Sequence, residues 1–452
     1  MFSSLIICLA TFTVLVWWLR RDKVSLGIPV AYLFSLLFIH VPGAIAHLVG
    51  GEYLYDTKAT EIGIRYTAIG TVAFAVGVIV VGSFADVRQR KNSDQLTSVA
   101  LHRFAVFCLL AGLLVTYTLR LFVSIPSIGA IIEKGGGIWV LGVLLGLQSA
   151  MHRWDGRKFT FWLAAMGVYP LLTLLLGGFL SFGATPVFII LSALTISTRS
   201  SWRVSIGLPV VALVFFTMFL SYFNNRDQIR DAVWGGAAMA ERVRESTRIF
   251  SGLEVFDSQN QRHLEALDRR LNQNFFVGLA DQRIKSGEVT YKNGQTFLDG
   301  LMSLIPRIIW PTKPVFAGSP AIIMEMTGFM VNDNTSYGVG NVMEFYINFG
   351  MPSLILGFLF LGMLLAWLDR QAGIRIQQGD WGSAIVYFMP AAAMIHPNGS
   401  LVELFSGSAS AFIAAVLWRR LWNHWSEYSK FDSSSRIRRS RRLGDSFTFN
   451  SQ

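Results

Sequence analysis

Arg307 and Lys313 fall in Ile305-Pro-Arg-Ile-Ile-Trp-Pro-Thr-Lys-Pro314. Its three prolines fix φ and remove backbone donors, so the segment is a stiff corner rather than plain helix. Two cations held in such a corner suit a phosphate-bearing substrate, because a guanidinium grips two phosphate oxygens at once and an ammonium adds a point charge. Further along, Glu344 and Asn348 lie four apart, so on a helix they share a face. Fixed cations beside a carboxylate are a set for stabilising charge on a phosphate.

These residues need a scaffold, and the composition says which kind. The chain has 452 residues, 52% hydrophobic and 15% charged, with net charge +11 and mean hydropathy +0.47. A soluble domain carries about 25% charged residues. Apolar runs recur from end to end, which makes the fold class all-α: a polytopic integral membrane helical bundle. We count about eleven spans at roughly 20 residues each: Phe2–Leu19, Leu26–Val49, Gly63–Ala85, Phe104–Val123, Gly137–Met151, Phe159–Leu180, Ala184–Thr198, Val204–Phe223, Met351–Leu368, Trp381–Ile395 and Leu401–Trp418. Phe2–Leu19 has no basic leader and is followed by Arg20-Arg21, so it reads as a span rather than a signal peptide. Cys8 and Cys108 both lie in apolar runs and frame neither a disulfide scaffold nor a metal cluster.

Basic clusters at Arg20–Lys23, Arg88–Lys91, Arg153–Lys158, Arg199–Arg203, Arg370–Arg375 and from Arg419 onward follow alternate spans. The positive-inside rule then puts them in the cytoplasm, with the N-terminus outside and the C-terminus inside. It also explains the net charge without nucleic acid. The expected organisation is residues 1–223 (eight N-terminal spans), 224–350 (a large helical extracytoplasmic loop), 351–420 (three C-terminal spans) and 421–452 (a basic tail). Within the loop, Gly235-Gly236 should interrupt a first helix. Leu264, Leu267, Leu271 and Phe275 make one amphipathic stripe stopping near Gly287, and Phe297, Leu301, Leu304 and Ile305 make a third ending at Pro306.

The long outer loop late in a bundle of ten to twelve helices resembles the layout of the Wzy-type O-antigen polymerases, or oligosaccharide repeat-unit polymerases. So do the P-R-x-x-W-P-x-K-P corner and the following G-x-x-x-E-x-Y-x-N-F-G. Arg307 and Gly318 also fit that family's R-x10-G spacing; the second copy expected in an earlier outer loop is missing. The resemblance implies a bacterial inner-membrane glycosyltransferase acting on undecaprenyl-pyrophosphate-linked oligosaccharide at the outer leaflet. It implies no metal and no cofactor, contact with membrane lipid, and room for a chain-length regulator protein. Related ligases share the plan, and a flippase for the same glycolipid is the rival from another class.

On that footing Arg307 is the first choice for the pyrophosphate and Lys313 the second, with bracing of the corner as the other role for either. Arg226 and Arg230 leave a span one helical turn apart and would reach a headgroup, or else pair with Asp227 and Asp231. Glu344 serves as base or orients the acceptor sugar; the plainer reading is a loop carboxylate paired with an arginine. His396, with Glu403 nearby, is a second proton acceptor or an ordinary helix-end histidine. Trp310, Tyr337 and Tyr346 stack on sugar or belong to the interfacial belt, and Asn348 joins Glu344 at the substrate. Arg120 snorkels from its span, and His40 and His47 pack helices.

Overall fold

The computed structural model describes residues 1–22, 24–51, 54–83, 99–118, 128–153, 155–177, 181–198, 217–218, 221–222, 228–229, 231–251, 255–305, 307, 309–316, 318–331 and 337–447. The regular elements among them are α-helices. In chain order they are α1 (Phe2–Leu19), α2 (Ile28–Val49), α3 (Thr57–Ser83), α4 (Val99–Thr118), α5 (Ile128–Gly136), α6 (Ile138–Arg153), α7 (Gly156–Gly177), α8 (Ser181–Ser197), α9 (Met239–Ser251), α10 (Gln261–Leu271), α11 (Gln273–Lys285), α12 (Gln295–Ser303), α13 (Ser319–Thr327), α14 (Asn341–Phe349), α15 (Met351–Gln378), α16 (Trp381–Ala393) and α17 (Leu401–Phe447).

Among the described residues, seven helical stretches are long and apolar enough to cross a membrane: α1, α2, α3, α4, α5 continuing into α6, α15 and the first part of α17. Two shorter apolar helices, Ala184–Ser197 and Trp381–Ala393, accompany them. The short run at Gly137–Met151 gains its length from α5, which extends it back to Ile128. Several expected spans begin or end a few residues away, because charged residues such as Lys58 and Arg375 continue a helix past its apolar part. The expected Phe159–Leu180 corresponds to α7, which is helical but not one of the seven. Most of Val204–Phe223 lies outside the described residues.

Close backbone approach holds the centre together. An added Cβ on Gly77 would lie 2.2 Å from the Leu359 carbonyl, and one on Gly362 the same distance from that of Phe74. Small residues thus let α3 and α15 touch along their lengths, the usual means of helix association where lipid removes the hydrophobic drive.

The segment 261–285 departs from expectation. The stripe Leu264, Leu267, Leu271 and Phe275 is buried, but it belongs to two helices. At Asn272 the backbone leaves the helical region (φ −125°, ψ 64°) and the chain turns into α11. This break is wedged between α2 and α3, where Gly43 faces Asn272 and Gly63 faces Asn274. Backbone groups freed at a break need partners, and the neighbouring side chains form a polar seam. Asn274 Nδ2 donates to the His40 carbonyl at 2.6 Å and Asn272 Nδ2 to Thr60 Oγ1 at 2.9 Å. His47 Nε2 meets Asp268 Oδ1 at 2.9 Å, and its Nδ1 meets Thr57 Oγ1 at 3.0 Å. Hydrophobic periodicity does not register such a break, because the stripe keeps its phase through it.

Candidate functional site

Glu344 lies in a buried half-helix. Gly340 (φ 76°) and Gly350 (φ 72°) bracket α14 in left-handed conformations, and Pro352 opens α15 immediately beyond. The chain therefore runs through two collinear-in-sequence helices with a hinge between them, rather than from a loop into one span. Asn341, Glu344 and Asn348 recur at i, i+3 and i+7 on one face, and all three are 0% exposed. The carbonyl end of α14 is capped from outside: Lys292 N donates to Ile347 O at 2.8 Å and Asn293 N to Asn348 O at 3.1 Å.

That face meets the irregular segment between α16 and α17. Asn341 N donates to Pro397 O at 2.8 Å and Gly340 N to Asn398 O at 3.1 Å. The Asn341 side chain accepts from the Tyr32 hydroxyl at 2.7 Å and donates to Gly399 O at 3.3 Å. Helix α17 then starts with a reciprocal capping box: Ser400 N donates to Glu403 Oε2 at 3.1 Å and Glu403 N to Ser400 Oγ at 3.3 Å. The next amide, Leu401 N, donates to Glu344 Oε2 at 2.7 Å.

The second Glu344 oxygen, Oε1, makes no hydrogen bond of good geometry. The Thr296 hydroxyl stands beside the carboxyl; it accepts from Asn348 Nδ2 at 2.7 Å, which leaves its own proton free to turn toward Glu344. Burial pushes the Glu344 carboxyl up to about 8; the Leu401 amide and the Thr296 hydroxyl oppose this, and the nearby Glu403 and Asp299 charges add to it. The group therefore changes protonation near neutral pH. Next to it, half-exposed His396 and Glu403 form a pair with Nε2 and Oε2 3.6 Å apart. The structure thus brings Glu344, Asn348 and His396 together around the start of α17.

The proline corner sits one step away and is tied largely to itself. Arg307 Nη1 donates to the Lys313 carbonyl at 2.8 Å and Nη2 reaches the Pro314 carbonyl at 3.4 Å. Lys313 Nζ donates to Ser303 O and Ile305 O, each at 2.9 Å. Burial and the Arg307 charge hold Lys313 below the usual amine range. The link to the half-helix runs through Ser303, whose hydroxyl donates to Val402 O at 3.2 Å in the first turn of α17. Trp310 is half-buried, and its carbonyl accepts from Lys313 N at 3.1 Å.

The remaining expected residues are more dispersed. Tyr337 packs among Phe276 and Phe329, with the Arg270 guanidinium 5.2 Å from its ring. Tyr346 is buried, and with Tyr66 it donates its hydroxyl to Asp281, which also pairs with Lys285 at 2.9 Å. Burial and Asp281 keep the Tyr346 phenol well above its usual range. Stacking of Tyr346 on a sugar does not fit that position: its ring faces Tyr66 and Tyr291 instead. Arg226, Arg230 and Arg120 lie outside the described residues.

Sequence reasoning passed over Asn341, Thr296, Asp281 and Lys134. Asn341 continues the period of Glu344 and Asn348 and could have been found that way. The others come from distant parts of the chain and carry no local signal. Among the described residues no group of three or more His, Cys, Asp or Glu side chains is placed to hold a metal ion.

No curated protein and no solved structure matches this chain. One family does, described as a domain of unknown function (DUF8712), over residues 49–396. That match takes in the α3, α10 and α11 side of the seam, the corner, the half-helix and His396, and the chain belongs to this family.

Proposed function

We propose that the protein is a membrane glycosyltransferase that polymerises undecaprenyl-pyrophosphate-linked oligosaccharide repeat units into a surface or exported polysaccharide. The observation that carries the reading is Glu344: a buried carboxyl near its proton-exchange point, with one oxygen on the Leu401 amide and the other without a hydrogen bond, next to the half-exposed His396–Glu403 pair. Such groups can receive a proton from a hydroxyl at working pH.

In this reading an acceptor hydroxyl on one lipid-linked repeat attacks the anomeric carbon of the growing chain. The carbon–oxygen bond to the pyrophosphate breaks with inversion, the hydroxyl proton passes to Glu344 or the His396–Glu403 pair, and lipid pyrophosphate leaves. Arg307 and Lys313 stabilise the leaving charge, and Arg226 and Arg230 steady the headgroup. Asn348, Trp310 and Tyr337 contact glycan. The same reading takes about eleven spans, a large outer loop at the outer leaflet of the bacterial inner membrane as the seat of the chemistry, the N-terminus outside and the C-terminus in the cytoplasm. A chain-length regulator is the expected protein partner.

The test uses purified protein and undecaprenyl-pyrophosphate repeat units without nucleotide sugar. A ladder of longer lipid-linked products supports the polymerase; a single attachment to another acceptor makes it a ligase. A second reading, a transporter for the same glycolipid, is favoured by the helix breaks at Asn272, Gly350 and 394–400, because discontinuous helices commonly mark transport sites. Movement of glycolipid across a liposome membrane with no ladder would establish it.

A further inference from the structure

We propose that Lys134 is the residue that meets the substrate phosphate at the half-helix site, a role that rests on the glycosyl-transfer reading. Lys134 lies in the last turn of α5, far in sequence from the corner, within a stretch apolar enough to span the membrane. Its turn is fixed against α17, where Trp418 Nε1 donates to Gly135 O at 3.0 Å.

Three observations bring it to the site. Its Cε lies 3.3 Å from where a Cβ on Gly407 would stand, so the bare glycine leaves room for the lysine stem. Gly407 is one helical turn along α17 from Glu403, and the Lys134 ammonium is in electrostatic range of that carboxylate. Glu403 in turn faces His396, and the amide next to its capping box holds Glu344.

The ammonium is also available. Lys134 is 38% exposed, and its ion pair is with its own neighbour Glu133 at 3.3 Å. Successive helical residues do not face each other, so that pair is loose and readily exchanged. The corner differs, since Arg307 and Lys313 donate to backbone carbonyls between 303 and 314. Of the local carboxyls, Glu403 lies 3.6 Å from His396 and Glu344 is buried. A phosphate oxygen approaching from the outer side therefore finds Lys134 as the partly exposed ammonium at this cluster.

The experiment measures amine-reactive labelling of Lys134 in the full-length protein, held in nanodiscs of zwitterionic lipid. The probes are inorganic pyrophosphate, a polyprenyl pyrophosphate and phosphatidylglycerol. Protection by the polyprenyl pyrophosphate, with or without inorganic pyrophosphate, supports the contact and tells whether the lipid is needed. Protection by phosphatidylglycerol alone makes Lys134 an ordinary interfacial lysine and overturns it, as does no protection at all. In the ladder assay, Lys134→Ala should raise KM for the lipid-linked donor about tenfold, the size of one lost charge-assisted hydrogen bond. Lys134→Arg, which keeps the charge, should recover most of that and leave the pH profile of kcat in place. A wild-type protein that makes no ladder while Lys134 is protected would overturn the glycosyl-transfer reading and leave the phosphate contact standing. A ladder whose KM ignores Lys134→Ala, without protection, would do the reverse.

Discussion

The proline corner and the half-helix α14 are joined through Ser303, yet they satisfy their polar groups in opposite ways. In the corner, Arg307 and Lys313 spend donors on carbonyls of the same short segment. In the half-helix, Glu344 Oε1 and Asn348 Oδ1 are buried without a hydrogen bond. A buried polar atom left unpaired costs about 1–3 kcal/mol. A fold bears that cost where a ligand or a proton supplies the missing partner. Cations conspicuous in sequence can thus also brace the backbone, whereas the half-helix leaves buried polar atoms incomplete.

The largest effect expected from this contrast is at Glu344. Glu344→Gln keeps an acceptor for the Leu401 amide and removes the proton exchange, so polymer formation should fall by about a hundredfold or more. Stability should move the other way. An unfolded glutamate titrates near 4.3, whereas the folded group titrates at about 8. Between those values the folded state keeps a proton that the unfolded state has lost, so wild-type stability falls as pH rises through that window and levels off above it. Glu344→Gln should therefore be the more stable protein, by a margin in thermal unfolding that widens from pH 5 to pH 9. A variant less stable than wild type at pH 9 would make the carboxyl a structural group like those of the corner.

Next comes the hinge. At Gly350 the backbone has φ 72° and ψ −142°, a region essentially closed to residues with a Cβ, and the Tyr291 hydroxyl would lie 3.0 Å from the added atom. Gly350→Ala should destabilise by about 1–3 kcal/mol. Unchanged thermal unfolding would show that α14 and α15 can run on as one helix.

A smaller change is expected at Arg307. If the corner is scaffold, Arg307→Ala loses about 1–2 kcal/mol of stability, visible as a lower unfolding temperature, and leaves the pH profile of any activity in place. Loss of activity in an equally stable protein would return Arg307 to the pyrophosphate and erase the contrast. The smallest effect belongs to the capping box: Ser400→Ala should cost about 1 kcal/mol and shift the His396–Glu403 pair, which histidine NMR titration would detect.

Much of the bundle was readable because long apolar runs have few other uses. Phe2–Leu19 forms a helix over the expected residues, and Gly236 and Gly287 interrupt helices where glycine was expected to. The face shared by Glu344 and Asn348 was visible in their spacing. What stayed hidden were contacts between distant segments. Nothing near Glu344 in sequence announces Leu401, whose amide holds its carboxyl. The break at Asn272 was concealed because the stripe from Leu264 to Phe275 keeps its helical phase across it. The Arg307 contacts stay hidden for a related reason: the sequence does not show that its guanidinium reaches the Lys313 and Pro314 carbonyls.

The wedge of α10 and α11 between α2 and α3 also dictates an order of assembly. Helices α2 and α3 leave the ribosome some two hundred residues before Asn272 and Asn274 exist. Until then His40 and Thr67 have each other but lack Asn274, and Thr60 lacks Asn272. The early helix pair is thus a half-built slot, and closing it is a long-range event that comes late in biogenesis. A substitution that fills Gly43 or Gly63 would jam that slot, so its damage would fall on the yield of inserted protein before any step of chemistry.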